Sequence, residues 1–333
     1  MTDNPLLSVD GLTVAFSSPD GPPVAAVQEL SFSLNAGETL CIVGESGCGK
    51  SLTALSLMRL LPRPHGMIGA GRIMLEGRDI ATASEADMRM LRGRAISMIF
   101  QEPMTSLNPV LTIGSQISEM VKVHEGLDET ACRQRALDML KLVRIPEPER
   151  RMDDYPHQLS GGMRQRVMIA MALVCDPKIL LADEPTTALD VTIEAQILEL
   201  IQDLKQRTGT AVILITHDFG VVAEMADRVL VMYAGRQIEQ GTVLELFDAP
   251  KHPYTQALMA AMPRFNAEGA QTRLKEIAGI VPALHERGQG CCFAPRCEKA
   301  TRHCFDSMPP LRLMAGEHSV ACWHAGSPQE RHP

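Results

Sequence analysis

The sequence predicts an α/β fold in which buried strands alternate with helices. Four apolar runs have the length of buried strands, and glycine or polar residues follow each of them: 39–43, 95–100, 179–182 and 211–216. A helical pattern from 112 to 143 interrupts the alternation. We therefore expect an inserted α-helical subdomain at about residues 103–165, beside an N-terminal antiparallel β subdomain and a small C-terminal cysteine-rich module.

The most informative stretch lies between the first apolar run and a helical segment at 52–58. It has the pattern G-x-x-x-x-G-K-S of a phosphate-binding loop, in which backbone N–H groups and the helix N-terminus face an anion. Lys50 would reach the β- and γ-phosphates of a nucleotide, and the Ser51 hydroxyl would hold Mg²⁺. The core is then of the phosphate-loop (RecA-like) type. The predicted nucleotide contacts in this stretch are Gly44, Glu45, Ser46, Gly47, Cys48, Gly49, Lys50, Ser51 and Leu52.

Length and composition narrow the class of protein. A chain of 333 residues is longer than a single hydrophobic core usually supports, which suggests two units. With 45% hydrophobic and 22% charged residues, the composition is that of an ordinary globular protein. The net charge of -8 argues against a broad nucleic-acid surface, so we expect no nucleic acid among the partners. No apolar run approaches the ~18 residues of a membrane span, and the N-terminus does not resemble a secretory signal. We expect a cytosolic chain that meets a membrane only through partners.

The N-terminal segment reads as strands that precede the phosphate loop. Residues 6–16 alternate between apolar and polar like a strand with a turn in it, and segments 24–27 and 30–34 predict two further strands. Phe16 is the large aromatic side chain before the loop. It either stacks on adenine or packs in the strand core, and the sequence leaves both possibilities open.

Polar residues follow the other apolar runs, where ligands bind in nucleotide-binding sheets. Gln101 ends the run at 95–100, and Asp183 and Glu184 end the next one. Asp183 is placed for Mg²⁺, and Glu184 could polarise an attacking water. His217 follows the last run and is a candidate contact of the γ-phosphate. The alternatives are exposed acids at a strand end and a structural histidine.

A second anion site is predicted at Leu159-Ser160-Gly161-Gly162. A hydroxyl and two glycines open a helix there, and such a start offers N–H groups to an anion. Asp190 follows in a tight loop before a helix at about 193–207.

Together these residues resemble the nucleotide-binding subunits of ABC transporters over roughly residues 6–265. The phosphate loop, Gln101, Leu159–Gly162, the acidic pair, Asp190 and His217 occur in that family's order, and the Leu-Ser-Gly-Gly motif is the most specific of them. Segments 101–109, 155–158 and 252–258, with Ala294-Pro295-Arg296-Cys297, are similar to the dipeptide/oligopeptide branch, which includes nickel and glutathione importers.

The resemblance implies an ATPase domain at 1–264 and a peptide-importer-type extension at 265–333. Two ATPase domains would pair head to tail, with each ATP between the phosphate loop of one and Ser160, Gly161 and Gly162 of the other. Glu184 would be the general base, and His217 would hold the γ-phosphate. Gln101 would contact the water and Mg²⁺, which Ser51 and Asp183 also bind.

The resemblance also implies partners. These are a second ATPase subunit, often a different chain, so that the pair is a heterodimer, two transmembrane permease subunits, and, indirectly, an extracytoplasmic substrate-binding protein. The chain would be peripheral on the cytoplasmic face of the inner membrane.

The C-terminal region contains a cysteine pattern, C-x5-C-x6-C-x17-C, formed by Cys291, Cys297, Cys304 and Cys322. Four thiolates can carry a [4Fe–4S] cluster or complete a zinc site. We rank the cluster first, zinc second and unligated cysteines third.

The leading hypothesis is an ATP-hydrolysing subunit that drives uptake of dipeptides or oligopeptides. The same machinery could import nickel or glutathione. A soluble ABC ATPase acting on nucleic acid is a rival, but it predicts a coiled-coil insertion or tandem cassettes, which the sequence lacks. A metal-sensing ATPase, with the cysteines as its sensor, is a third possibility.

Overall fold

The computed structural model describes residues 4–18, 21–101, 106–186, 190–261 and 277–326. The chain divides into two compact units, each built from several segments. The first comprises residues 1–6, 34–39 and 82–215, and the second comprises 7–33, 40–81 and 216–333. The predicted boundary at 264/265 and the segments 102–105 and 187–189 of the predicted motifs lie outside the described residues.

The strands and helices are numbered here in chain order. The strands are β1 (Leu7–Ser18), β2 (Gly21–Leu34), β3 (Thr39–Val43), β4 (Gly66–Leu75), β5 (Arg78–Asp79), β6 (Ile96–Ile99), β7 (Ile179–Asp183), β8 (Ala211–Ile215), β9 (Arg228–Tyr233), β10 (Arg236–Thr242), β11 (Arg312–Leu313) and β12 (Ser319–Val320). The helices are α1 (Lys50–Leu57), α2 (Glu85–Leu91), α3 (Ile113–Glu125), α4 (Glu129–Leu142), α5 (Pro148–Arg151), α6 (Gly161–Leu173), α7 (Val191–Thr208), α8 (Phe219–Met225), α9 (Val243–Asp248), α10 (Pro253–Ala260) and α11 (Arg302–Asp306).

Parallel strands lie at the centre of the first unit. β6 pairs with β7 from Ile96↔Ile179 onward, and β7 pairs with β8 as far as Asp183↔Ile215. Every residue of these three strands is buried. Continuous apolar runs are typical of parallel strands covered on both faces, which confirms the strands predicted from these runs. The carboxyl ends of β6 and β7 lead directly to Gln101 and Glu184.

The helical pattern at 112–143 forms two helices, α3 and α4. Their buried faces include Ile113, Ile117, Val121, Ala136 and Leu140, which recur at the spacing of one helix face. Each fully buried aliphatic side chain of this kind stabilises the fold by ~1.5–3 kcal/mol. The predicted helical insertion is therefore present.

Capping residues explain why the insertion is two helices rather than one. The Thr112 side chain accepts a hydrogen bond from the Ser115 N–H, and the Asp128 side chain accepts one from the Ala131 N–H. Gly126 ends α3 in the left-handed region at φ 67°, where glycine carries no Cβ penalty.

The second unit contains an antiparallel sheet in the order β2-β1-β4-β5. β1 pairs with β4 from Leu7↔Leu75 to Phe16↔Gly66. The two strands predicted at 24–27 and 30–34 are one strand, β2, and Glu29 within it has a φ of 53°. A strand can pass through one left-handed residue as an irregularity without ending, which the sequence pattern does not reveal.

A mixed sheet in the same unit joins β3, β9, β10, β12 and β11 in that order. β3 runs parallel to β9, and β9 and β10 form an antiparallel hairpin. In the part of the chain that the structure describes, no helix combines the length and apolar composition that a membrane crossing needs.

The structure does not support the expected small cysteine-rich module as a body of its own. Residues 277–326, here called the tail, belong to the second unit, and β12 pairs with β10 through Glu239↔Val320. Phe293 of the tail is 3% exposed and packs edge-on against Tyr233 and Tyr254, at ring-centroid distances of 5.3 and 5.4 Å. A segment of this size has too few apolar residues for its own core, so it packs against the core of the second unit.

Candidate functional site: a phosphate loop and a carboxylate pair

The phosphate loop connects β3 to α1, as the sequence predicts. Gly44, Gly47 and Gly49 have φ values of 151°, 78° and 103°, which side chains other than glycine rarely adopt. A Cβ on Gly44 would lie 2.3 Å from the Met232 carbonyl oxygen, and one on Gly49 would lie 2.9 Å from Val27 Cγ2. The glycines therefore permit both the turn and its close packing within the second unit.

The Lys50 side chain folds back over this loop. Its ammonium group donates to the carbonyl oxygens of Gly44 at 2.7 Å and of Glu45 at 3.2 Å, and the residue is 6% exposed. A buried cation at the mouth of an anion-binding turn fits a phosphate group. Ser51 and Leu52 follow as the next residues of α1.

The interior of the loop is held by Cys48. This residue is fully buried, and burial raises the pKa of its thiol although the nearby Lys50 charge opposes the rise. Its carbonyl oxygen accepts a hydrogen bond of 2.9 Å from the N–H of Gly235, in the β9–β10 turn. Ser46 and Gly47 are exposed, so the outer side of the loop is open to a ligand.

In the first unit, Asp183 and Glu184 stand at the end of β7. Asp183 is 4% exposed, and Glu184 is half-buried. The Gln101 carboxamide nitrogen donates a hydrogen bond of 3.0 Å to the Glu184 carboxylate. Glu184 has a φ of 46°, and its N–H donates to the Ile215 carbonyl oxygen at 2.9 Å. The structure thus brings Gln101 and Glu184 together, and a carboxylate held in this way can accept a proton from water.

The Ser160–Gly162 segment begins helix α6. The Ser160 hydroxyl accepts a hydrogen bond of 3.4 Å from the Met163 N–H, and Ser160 and Gly161 are both exposed. A Cβ on Gly161 would meet nothing within 4 Å, whereas one on Gly162 would lie 3.0 Å from Ile193 Cγ2. The Ser160 and Gly161 residues at the N-terminus of α6 are therefore exposed among the described residues, and the N–H groups of a helix N-terminus can face an anion.

The remaining predicted residues occupy varied environments. Asp190 is exposed at the start of α7 and makes no side-chain cap. His217 is exposed and precedes Asp218, which caps α8 by accepting from the Gly220 N–H. Phe16 is half-buried in β1, so a stacking role and a packing role both stay open.

Sequence reasoning missed two residues that contact the phosphate loop, Tyr254 and Arg296, and a third, Arg287, that contacts strand β2. The Tyr254 hydroxyl accepts a hydrogen bond of 2.8 Å from the Glu45 N–H. Arg296 donates to both carboxylate oxygens of Glu45, and Arg287 donates to the Ala26 carbonyl oxygen at 3.2 Å, beside the β9–β10 turn. The sequence signal for such a contact is the negative charge of Glu45 in an anion-binding loop. This charge indicates that a cationic side chain lies nearby, but it does not identify which one.

The structure does not support the predicted metal centre at the tail cysteines. Among the described residues, which include all four of these cysteines, no group of three or more His, Cys, Asp or Glu side chains is arranged to hold a metal ion. The Cys304 sulfur instead lies 3.4 Å from His324 Nε2, and burial raises the pKa of Cys291 to about 11. Among the described residues, the thiols are therefore not arranged as a ligand set for an iron–sulfur cluster or zinc. Nucleotide-bound Mg²⁺ needs only one or two protein ligands beside phosphates, and the Ser51 hydroxyl and the Asp183 carboxylate are each a ligand of the type that it takes.

Two family profiles match the chain. The ABC transporter profile covers residues 27–187, and the profile of the oligopeptide/dipeptide transporter C-terminal region covers residues 238–304. The fold and the phosphate loop therefore define an ATP-binding cassette of the ABC transporter class.

Curated relatives define the branch. The chain is 55% identical to a probable peptide ABC transporter ATP-binding protein, y4tR, of Sinorhizobium fredii, over 90% of this chain and 89% of that protein. It is 50% identical to the dipeptide transport ATP-binding protein DppD of Bacillus subtilis, over 96% and 94% of the two chains. The chain belongs to the family of ATP-binding proteins of peptide ABC transporters.

Solved structures show the same fold. The dimeric post-hydrolysis state of the ATP-binding cassette MJ0796, bound to ADP and Pi, superposes with a TM-score of 0.64 at 27% identity, over 71% of this chain and 98% of that one. The cassette cbiO1 from Clostridium perfringens gives a TM-score of 0.62 at 30% identity, over 74% and 92%. These likenesses confirm the predicted ATPase core with its β subdomain and helical insertion.

Proposed function

We propose that the chain is the ATP-hydrolysing subunit of an importer of dipeptides or oligopeptides, bound to the cytoplasmic face of the inner membrane. The observation that carries this proposal is the preformed phosphate cradle, with three left-handed glycines and the buried Lys50 ammonium 2.7 Å from the Gly44 oxygen. The peptide names of relatives that are 50–55% identical over nearly the whole chain support the cargo class.

The proposal assigns a role to each residue of the motifs. Lys50 binds the β- and γ-phosphates, and Ser51 and Asp183 ligate Mg²⁺. Glu184 accepts the proton of the attacking water, while Gln101 holds the Glu184 carboxylate and contacts the same water and metal. His217 contacts the γ-phosphate, Asp190 contributes from the loop before α7, and Phe16 meets the adenine.

The proposal requires a second ATPase subunit. The exposed Ser160 and Gly161 lie at the N-terminus of α6, where backbone N–H groups can meet phosphates bound by a partner's loop. The similar cassette MJ0796 forms a dimer. In this chain we propose a heterodimer with a related ATPase, bound to two permease subunits that receive cargo from an extracytoplasmic binding protein.

Co-purification from native membranes tests the assembly and the cargo together. The complex should contain two membrane-spanning subunits, and its ATPase rate should rise when the binding protein is loaded with a dipeptide or oligopeptide. Stimulation by nickel or glutathione instead of peptide would replace the cargo and keep the machinery. ATPase activity without membrane-spanning partners, stimulated by nucleic acid, would overturn the proposal.

The cysteine tail enters this proposal only through its spacing, C-x5-C-x6-C-x17-C. No step of the mechanism passes through a metal in the tail, because among the described residues the thiols are not arranged as a ligand set. Iron, sulfide and zinc analysis of protein purified without oxygen tests the hypothesis. A stoichiometric [4Fe–4S] content would support the cluster, and metal-free protein with full ATPase activity would reject it.

A further inference from the structure

The tail holds the phosphate loop through an ion pair that spans most of the sequence. Arg296 Nη1 lies 2.6 Å from Glu45 Oε2, and Nη2 lies 3.0 Å from Glu45 Oε1. The Arg296 side chain is 5% exposed and that of Glu45 is 29% exposed. A two-pronged arginine–carboxylate pair of this kind fixes orientation as well as charge, and its burial limits screening by salt.

The guanidinium is itself immobilised by its surroundings. Its Nε and Nη2 donate to the carbonyl oxygens of Ala278 and Ile277, at 2.9 and 3.1 Å. It also lies 5.8 Å from the Tyr233 ring centroid and 5.9 Å from that of Phe293. The hydrogen bonds to Glu45 raise the pKa of Arg296, so it stays charged at every working pH. The tail therefore presents a rigid cation to the loop.

The position of Glu45 makes this cation matter for phosphate binding. Glu45 directly follows Gly44, and its carbonyl oxygen, like that of Gly44, contacts the Lys50 ammonium. An unpaired carboxylate here would repel phosphates and compete for Lys50. Arg296 occupies both carboxylate oxygens, and Tyr254 binds the backbone N–H of the same residue. Side chain and backbone of Glu45 are thus both anchored.

Arg287 provides a second link between the tail and the region beside the loop. Its Nη1 donates to the Ala26 carbonyl oxygen, next to Gly235. A Cβ on Gly235 would lie 2.1 Å from that same oxygen, and the Gly235 N–H binds the Cys48 carbonyl oxygen inside the loop. The tail therefore contacts the loop directly through Arg296, and through Arg287 it contacts the β2 carbonyl oxygen beside the turn that binds the loop.

We propose that Arg296 is a positioning residue for nucleotide binding, which neutralises and orients Glu45 so that the phosphate loop accepts the ATP phosphates. The inference deepens the proposed function and rests on it. Arg296 acts through Glu45 rather than by touching the nucleotide. Replacing Arg296 should therefore change the affinity for Mg-ATP much more than the rate of hydrolysis at saturating ATP.

The test measures Kd for Mg-ATP by fluorescence titration, together with KM and kcat, on the full-length chain in its complex. R296M should weaken Kd and raise KM about tenfold, equivalent to ~1.4 kcal/mol, with kcat within about twofold of wild type. The matched control is R302M, since Arg302 is a tail arginine whose side chain is 96% exposed. It should leave Kd, KM and kcat unchanged.

A double-mutant cycle with E45Q separates positioning from a general role in tail folding. With the carboxylate removed, R296M should change Kd by less than about twofold, because no charge is left to neutralise. The same tenfold loss in both backgrounds, or no loss in either, would overturn the inference. Should R296M not fold, R296K replaces it. It keeps the charge without the fork and should lose about threefold, again only when Glu45 is present.

Failure of the proposed function has a different signature. A wild-type chain that binds no Mg-ATP would overturn the ATPase assignment and this inference with it. A wild-type chain that binds and hydrolyses ATP, with R296M indistinguishable from it, would overturn the role of Arg296 alone.

Discussion

The Gln101 carboxamide nitrogen lies 3.0 Å from a carboxylate oxygen of Glu184. The two residues stand at the carboxyl ends of the adjacent parallel strands β6 and β7. The backbone of Glu184 is in the left-handed region at φ 46°, a conformation that costs on the order of 1 kcal/mol or more for a residue with a side chain. The hydrogen bond to Gln101 fits the proposed role of Glu184 as a base whose orientation is set before the nucleotide arrives.

Replacing this base should separate binding from turnover. E184Q keeps the size of the side chain and removes its ability to accept a proton. We expect the Kd for Mg-ATP to stay within about threefold and kcat to fall by about 10²–10⁴-fold, the range for loss of a general base. Single-turnover hydrolysis and nucleotide titration measure the two quantities. E119Q, at an exposed carboxylate in α3, should match wild type, whereas near-normal turnover by E184Q would remove Glu184 from the mechanism.

Removing the buried Lys50 ammonium should mainly weaken the binding of Mg-ATP. In K50A the phosphates lose their charged hydrogen-bond donor, worth ~3 kcal/mol, so the affinity for Mg-ATP should fall about 100-fold. K122A serves as the control, because Lys122 is exposed in α3. Equal nucleotide affinities of K50A and wild type would contradict the phosphate role.

A methyl group added to Gly161 should affect assembly and not folding. The structure leaves open space around this position, so G161A should unfold at the same temperature as wild type within about 2 °C. A partner's phosphates must approach the same surface, so steady-state ATPase activity should fall at least about tenfold. G288A adds a methyl in open space within the tail and should have no effect. Full activity of G161A would argue against a composite site.

The buried His252 predicts a dependence of stability on pH. It is 1% exposed, its Nδ1 accepts a hydrogen bond from the Tyr254 N–H, and burial lowers its pKa to about 4. Its pKa in the unfolded chain is ~6.5. Between these values the unfolded state binds more protons, so the free energy of unfolding should fall by about 3 kcal/mol as the pH drops from 6.5 to 4.

Urea unfolding at several pH values measures this decline. H252N keeps a side-chain acceptor at the start of α10 and removes the titration, so its curve should be flatter over the same interval. H157N, at an exposed histidine, should follow wild type. A decline in H252N as steep as in wild type would assign the effect to other groups.

Local patterns were sufficient for most of the fold. Apolar runs predict the strands β6, β7 and β8, and helical spacing predicts the helix α7. A strand that is buried on both faces and a helix that is buried on one face each leave a pattern that is visible over a few residues. The phosphate loop could be predicted from its glycines, because other residues rarely adopt the positive φ values that the loop needs. Gln101 and Glu184 follow from their places at strand ends.

Contacts between distant segments could not be predicted in the same way. Glu45 and Arg296 are 251 residues apart, and the sequence contains 32 lysines and arginines that could have met that charge. Glu239 is fully buried in β10, and its Oε1 lies 2.7 Å from Nε2 of the tail residue His318. Such polar pairs have no periodicity in the sequence, so the sequence alone indicates the cysteines as the organising feature of the tail. Its ion pairs and Phe293 hold it in place instead.

Peptide uptake is the most direct test of the central claim. The complex that co-purifies with this chain is reconstituted into proteoliposomes with ATP inside, and accumulation of a radiolabelled dipeptide delivered by the binding protein is followed. Wild-type complex should accumulate peptide only with ATP, and the E184Q complex should accumulate less than about 1% as much at the same nucleotide occupancy, as loss of the general base requires. Uptake by E184Q equal to wild type, or ATP hydrolysis that no peptide stimulates, would contradict the account.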